Sequence, residues 1–296
     1  MKDYFGYQEK VVVVTGASSG MGKAAAAMLV DLGAQVWALS RSEPDVPGIF
    51  KFISTDLSDQ ASIDAAFKQI PDHIDSFFGI AGASGLHNTF VETVKIDLLS
   101  NKYITEEYLA KRMSAGAAIA YMTSNGGYGW ELEGNRKYYA DLLEIKGWDA
   151  FVSALEAMPL AKASGNLGYA YSKLALNYLV AIYQAVFAPQ GIRVNAVLPA
   201  STETGLIDDF AAMTGGRDNL MKFTGYAQRL AEPKEMGEPI VFVNSDMASY
   251  LSGVHLMVDY GNMVEVTAGL KENPNGAFTF DMIVQHLLKQ MEGKQS

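Results

Sequence analysis

The stretch Val11-Val-Val-Val-Thr-Gly-Ala-Ser-Ser-Gly-Met-Gly22 limits the folds open to this chain more than any other. Four consecutive valines read as a strand buried on both faces, since no polar residue alternates with them. Gly16, Gly20 and Gly22 then make a tight turn into a helix rich in good helix formers, Ala24 to Leu32. A strand, a glycine turn and a helix N-terminus in that order aim backbone N–H groups at a pyrophosphate. Ser18, Ser19 and Met21 lie inside the same turn and share that expected contact.

The rest of the chain keeps the alternation. Strand-like runs fall at 11–15, 35–39, 50–54, 75–80, 117–123, 192–198 and 254–258, with helical runs at 21–32, 60–69, 92–113, 168–188 and 233–244. Alternating β and α elements predict an α/β protein: a doubly wound Rossmann domain on a seven-stranded parallel sheet. Ligands in such sheets bind beyond the C-terminal ends of the strands. Gly16, Ser40, Asp56, Ala81, Ser124 and Pro199 all sit at such ends. No linker or repeat divides residues 1–296, so one dinucleotide-binding and catalytic domain is expected.

Tyr169 and Lys173 stand four residues apart, in Gly168-Tyr-Ala-Tyr-Ser-Lys173. On a helix this places phenol and ammonium one turn apart on one face. A cation that close favours phenolate and should draw the phenol's pKa down toward working pH. Such a tyrosine can act as a general acid or base.

Together the glycine turn and the Tyr-x-x-x-Lys pair resemble the short-chain dehydrogenase/reductase family over about residues 8 to 264. Thr55-Asp56-Leu57 matches the family's segment beside the adenine, and Met122-Thr-Ser124 the strand end that carries its catalytic serine. Leu198-Pro-Ala-Ser-Thr-Glu-Thr204 matches the loop that meets the nicotinamide carboxamide. Within the family, the chain is most similar to the bacterial 3α-hydroxysteroid dehydrogenase/carbonyl reductases. That likeness rests on 165–173, 201–204, Arg229-Leu-Ala-Glu-Pro233 and a long insertion before Tyr169.

The resemblance implies an enzyme that interconverts a secondary alcohol and a ketone. Tyr169 is the implied general acid/base. Ser124 would donate a hydrogen bond to the substrate oxygen, and Lys173 would bind the nicotinamide ribose as well as tune Tyr169. Gly16, Ser18, Ser19, Gly20, Met21, Gly22, Ser40, Arg41, Asp56, Leu57, Ala81, Gly82, Tyr169, Lys173, Pro199, Ser201, Thr202 and Thr204 form the implied cofactor site. A bulky cyclic substrate is expected, such as a hydroxysteroid or bile acid. A broad-range carbonyl reductase for small or aromatic ketones stays open, as does a cofactor-binding regulator without chemistry.

Three positions depart from the family pattern. Asp97 stands where the family usually has an asparagine that supports a proton-relay water, and an ionised carboxylate cannot donate a hydrogen bond. Gly79-Ile-Ala-Gly82 replaces a common Asn-Asn-Ala-Gly and lacks its polar support, and Ala200 replaces a usual glycine. At the end of the second strand, Ser40 stands where an aspartate would select NAD, and Arg41 follows it. A guanidinium can pair with a 2′-phosphate, so NADP(H) is the expected cofactor, with Glu43 as a competing partner and NAD(H) as the alternative.

Composition narrows the remaining classes. A net charge of −10 argues against nucleic acid, whose phosphates need clustered Lys and Arg. The absence of cysteine excludes a Cys nucleophile or ligand and fits a cytoplasmic setting. No run of about 18 apolar residues and no apolar leader segment are visible, so neither a membrane span nor a secretory signal is expected. The four histidines, 73, 87, 255 and 286, show no ligand spacing, and no metal is expected.

Two segments exceed a minimal core. An insertion, about 125–166, predicts a helix near 136–146 and an apolar one from Trp148 to Met158, packed on the surface, on a partner subunit or as a lid. A C-terminal extension, about 265–296, predicts a turn at Asn273-Pro-Asn-Gly276. A helical stripe of Phe280, Ile283, Val284, Leu287, Leu288 and Met291 follows it. These faces also underlie the expectation of a homodimer or homotetramer.

Overall fold

A computed structural model describes residues 3–272 and 279–292. Seven strands are ordered β3-β2-β1-β4-β5-β6-β7, every neighbouring pair parallel. They are β1 (Val11–Thr15), β2 (Gln35–Ser40), β3 (Lys51–Ser54), β4 (Ser76–Gly79), β5 (Ala118–Met122), β6 (Arg193–Pro199) and β7 (His255–Val258). Each lies within a residue or two of its expected span.

The valine run shows how sequence sets the layers. Successive side chains on a strand point to opposite faces. Val12 and Val14 join a core with Leu29, Val36, Met236 and Ile240, beneath helix α1 (Gly20–Asp31) and the helix Pro233–Asn244. Val13 joins the opposite core with Leu39, Phe77, Phe90 and Leu174, beneath α2 (Gln60–Phe67) and the helix Gly165–Phe187. Both faces are covered, so both must be apolar, which explains the absence of alternation.

The run expected as one helix over 92–113 is broken in two places. Helical segments Phe90–Val94, Ser100–Ile104 and Ala110–Arg112 are joined by π-helical turns at Lys95–Leu99 and Thr105–Leu109. A π turn holds one more residue than an α turn, so it rotates the face that follows. The first turn carries Asp97, fully buried, and Lys102 beyond it is 2 % exposed. Lys102 Nζ donates to both oxygens of Glu106 and to the Ile145 carbonyl, each at 2.8 Å. That last bond ties the insertion to the core.

The insertion is helical, in smaller pieces than expected: Glu133–Arg136, Ala140–Glu144 and Trp148–Ala157. Trp148, Phe151 and Leu155 are buried in the core of this same chain, with the Trp148 ring set edge-on to Tyr103 at 5.5 Å. Of the three expected placements, packing on this chain's own surface is the one found, and the buried side of the helix is covered without a lid position or a partner subunit. The C-terminal helix Phe280–Glu292 docks on the insertion. Phe280 and Val284 are buried, Ile283 is 47 % exposed, and Asp281 pairs with Lys137 and Tyr138. The turn at Asn273–Gly276 and the side chain of Met291 lie outside the described residues. Among the described residues no helix is long and apolar enough to cross a membrane.

Gly165 opens the helix that bears Tyr169 and Lys173, where the chain crosses another backbone. A Cβ there would stand 2.2 Å from the carbonyl oxygens of both Asn88 and Gly85. Backbone cannot swing aside as a side chain can. Gly165→Ala should therefore cost about 2 kcal/mol or more, as overpacking at a fixed contact does. Urea unfolding of the variant checks this, and an unchanged midpoint would show that the crossing relaxes.

Candidate active site

The site is built at the C-terminal edge of the sheet, starting from β1. Thr15 closes the valine strand with a hydroxyl that accepts the N–H groups of Ile80 and Ala81, at 3.1 and 3.3 Å. These bonds hold the end of β4 against the glycine turn. A Cβ on Gly16 would lie 2.8 Å from the Ala81 Cα, and one on Gly22 would lie 2.1 Å from the Gly16 carbonyl oxygen. Gly16 also has a φ of +73°, which favours glycine.

The Ser19 side chain makes no cap to α1, so the first-turn N–H groups carry no side-chain cap from it. An anion suits that position. Thr204 comes over the same turn, its Cγ2 at 3.1 Å from where a Gly20 Cβ would be. A backbone cradle at a helix N-terminus, closed from above by the loop after β6, fits a dinucleotide pyrophosphate. Ser18, Met21, Gly82, Pro199, Ser201 and Thr202 border the same edge. A cavity of about 100 Å³ opens behind the β6 loop, between Ala200, Met236, Val258 and Arg229; it contains none of the candidate catalytic side chains.

At the β2 end, the Ser40 hydroxyl donates to the Ser42 carbonyl at 2.8 Å and Arg41 is exposed. Asp56, just after β3, is a carboxylate that senses Arg41. Asp56 is held below the usual carboxylate range, first by the Ser58 hydroxyl and then by the Ser58 N–H, with Arg41 adding a smaller pull. Leu57 beside it is buried.

Ser124, Tyr169, Lys173 and Asp97 come together beyond β5. Ser124 follows the strand and accepts the Gly126 N–H at 2.9 Å, so it also caps the turn that leads into the insertion. Lys173 Nζ lies 5.2 Å from the Tyr169 ring centre, 3.5 Å from the Met122 carbonyl and 3.5 Å from Asp97 Oδ2. Asp97 Oδ1 accepts the Ala83 N–H at 2.7 Å, and its Oδ2 has the ion pair but no hydrogen bond.

The expected lowering of the phenol's pKa does not occur. Burial raises it, and the opposing pulls of Lys173 and the Ser124 hydroxyl do not overcome that cost, while Asp97 pushes the same way as burial. The first reason is the loss of water around the phenol; the Asp97 carboxylate, which faces the same ammonium, adds a smaller push. Asp97 is itself raised above its ordinary value by burial, against the pull of Lys173.

Several residues here were not picked out from sequence. Thr15 carried a signal: a hydroxyl ending an all-valine strand. Asn101 packs directly on Gly79, its Oδ1 2.4 Å from where a Gly79 Cβ would be. Phe210, by contrast, belongs to the apolar 206–228 segment that the sequence offers as a substrate wall; on the helix Ile207–Thr214 it sets its ring edge-on to Tyr169 at 5.2 Å. The adjacent Asp209 accepts the Ser84 hydroxyl and pairs with His87 at 3.3 Å, which latches that helix to the loop after β4. No spacing joins residue 84 to residue 209, so no sequence signal marked the latch.

A glycine cradle on a doubly wound sheet, with a tyrosine and a lysine beyond the fifth strand, defines a class of NAD(P)(H)-dependent oxidoreductases of alcohols and ketones. Comparison with known proteins agrees. The family pattern described as short chain dehydrogenase matches residues 10–131, and that described as enoyl-(acyl carrier protein) reductase matches 150–262. Coniferyl-alcohol dehydrogenase of Pseudomonas sp. (strain HR199 / DSM 7063) is 28% identical over 253 residues, 85% of this chain and 96% of that one. The 3-alpha-hydroxysteroid dehydrogenase/carbonyl reductase of Comamonas testosteroni is 36% identical over 118 residues, 36% of this chain and 46% of that one. The crystal structure of the 3-alpha-hydroxysteroid dehydrogenase from Pseudomonas sp. B-0831, complexed with NADH, is similar in fold. Its TM-score is 0.70 at 23% identity, covering 89% of this chain and 100% of that one. The chain belongs to the short-chain dehydrogenase/reductase family. It is an NAD(P)-dependent alcohol dehydrogenase/ketone reductase.

The latch has a consequence for motion. Asp209→Ala removes both of its contacts and leaves the helix core beneath intact. Limited proteolysis should then cut several-fold faster near Thr214–Arg217, at an unchanged Tm, because local opening follows local contacts. Equal cleavage rates would mean that Asp209 does not hold the helix.

Proposed function

We propose that this chain interconverts a bulky cyclic secondary alcohol and its ketone with NADP(H), Tyr169 exchanging the proton at the substrate oxygen. One observation carries the reading: Tyr169, Ser124 and Lys173 converge beyond β5 under an aromatic wall, Phe210. When bound, the nicotinamide supplies or takes the hydride. Tyr169 gives its phenol proton to the oxygen in reduction and recovers it in oxidation. Ser124, whose oxygen accepts the Gly126 N–H and whose O–H makes a long bond to Asn125 Oδ1 at 3.4 Å, turns that O–H to the substrate oxygen where charge develops. Lys173 stands beneath the phenol, with Met122 and Asp97 as partners. Gly16, Gly20 and Gly22 form the pyrophosphate cradle.

The apolar wall supports a ring-bearing substrate, and the relatives named for coniferyl alcohol and a hydroxysteroid point the same way. The NADP(H) reading rests on Arg41, exposed beside a β2 end that has no carboxylate. The similar steroid dehydrogenase holds NADH, so this choice belongs to the present chain's own residues. One catalytic unit over residues 1–296 and a homodimer or homotetramer complete the proposal. The outer edge of β7, paired only with β6 among the described residues, supports the assembly.

Two variants test the reading. Tyr169→Phe should lose nearly all turnover and keep cofactor affinity; retention of more than a few per cent of kcat would remove the phenol from its assigned role. Arg41→Ala should weaken NADPH by tenfold or more and leave NADH unchanged. The loss corresponds to a charge-assisted hydrogen bond of about 1.5–3 kcal/mol. Fluorescence titration reads both, and equal Kd values for the two cofactors in the unmodified protein would overturn the NADP(H) choice.

A further inference from the structure

We propose that Asp97 is a positioning residue whose carboxylate fixes the Lys173 ammonium and offsets its charge at Tyr169, holding the phenol in its proton-donating form. The inference rests on the reading of Tyr169 as acid and base and concerns how that group is set.

The geometry is that of a closed pair. Asp97 is fully buried and Lys173 is 4 % exposed. Asp97 Oδ1 is fixed by the Ala83 N–H, and Oδ2 stands 3.5 Å from Lys173 Nζ. Gly82 lets the loop after β4 lie directly on the pair: a Cβ there would be 3.4 Å from both Asp97 Oδ1 and Lys173 Nζ. The π turn puts Asp97 in this place. From the helix Gly165–Phe187, Lys173 and Tyr169 face it; the loop contributes the Ala83 N–H, and β5 contributes the Met122 carbonyl to Lys173. These three ionisable groups are therefore set against one another.

A lone ammonium near a phenol favours phenolate. An ammonium paired with a carboxylate at 3.5 Å acts as a dipole, and its field falls off faster than that of a charge. Burial of the phenol is the largest influence and raises it; the Asp97 charge adds to that rise, and Lys173 and the Ser124 hydroxyl oppose it. The sign follows. Reduction needs Tyr169 protonated and oxidation needs it ionised. Pairing Lys173 extends the reductive form to higher pH and moves the onset of oxidation upward as well.

Asp97→Asn removes the charge and keeps an oxygen for the Ala83 N–H. It should lower the Tyr169 titration midpoint by about one pH unit, the scale of one close charge. The measurement uses protein labelled with ¹³Cζ-tyrosine, with the resonance lost in Tyr169→Phe identifying the group, and needs neither cofactor nor substrate. The alkaline limb of reduction and the acid limb of oxidation should shift downward together. A midpoint unchanged or raised in folded Asp97→Asn overturns the proposal.

A second measurement does not depend on that variant folding. In unmodified protein labelled with ¹³Cγ-aspartate, Asp97 should be ionised at neutral pH, and a protonated carboxyl there overturns the proposal equally. The two readings fail separately. Turnover by Tyr169→Phe would end the acid/base assignment, whereas the titration of Tyr169 reports on Asp97 whatever that result.

Discussion

The Thr15 hydroxyl is the fixed point from which the site is laid out. By accepting two N–H groups from the end of β4, it closes the gap between the first and fourth strands to backbone contact. One side of that contact is the glycine cradle. The other runs through the loop after β4, whose Ala83 N–H holds Asp97, which faces Lys173, which lies under Tyr169. Both halves of the chemistry, cofactor and proton, take their positions from one hydroxyl on one strand. Such a chain of contacts works because Thr15, Asp97 and Lys173 are buried, where polar contacts are stronger than in water.

The sheet and the main motifs were legible in sequence because local pattern determines them. Four valines cannot form anything but a two-faced strand in this setting, and the strand ends carry their own polar punctuation. The breaks in the 90–112 helix were not legible. A π turn has no residue signature, and hydrophobic periodicity averages across it. Nor was the net effect on Tyr169: spacing shows which charge is near, but not how far the fold withdraws the phenol from water, nor that Asp97 reaches Lys173 from another element. Asp209 escaped notice for the same reason, since Ser84 is 125 positions away in sequence.

The insertion shows where periodicity misleads about partners. Its apolar stripe was read correctly as a face needing cover. Sequence could not say that the cover is the π-bulged helix beside it, with Lys102 reaching the Ile145 carbonyl. Hydrophobic burial has no direction, so a stripe announces that it must be covered without naming by what.

The docking of the helix Phe280–Glu292 also bears on how the chain reaches its native state. Tyr138 bonds Asp281 across 143 positions of sequence, and Phe280 lies against both Tyr138 and Tyr171. Tyr171 is on the same helix as Tyr169. The outer wall of that helix is thus completed by residues made long after the insertion itself. Contacts of such separation form slowly, because a large loop must close before they bring any gain. During synthesis the sheet up to β6 can assemble while these aromatic rings remain uncovered, a state in which a chaperone or an aggregate would find its surface.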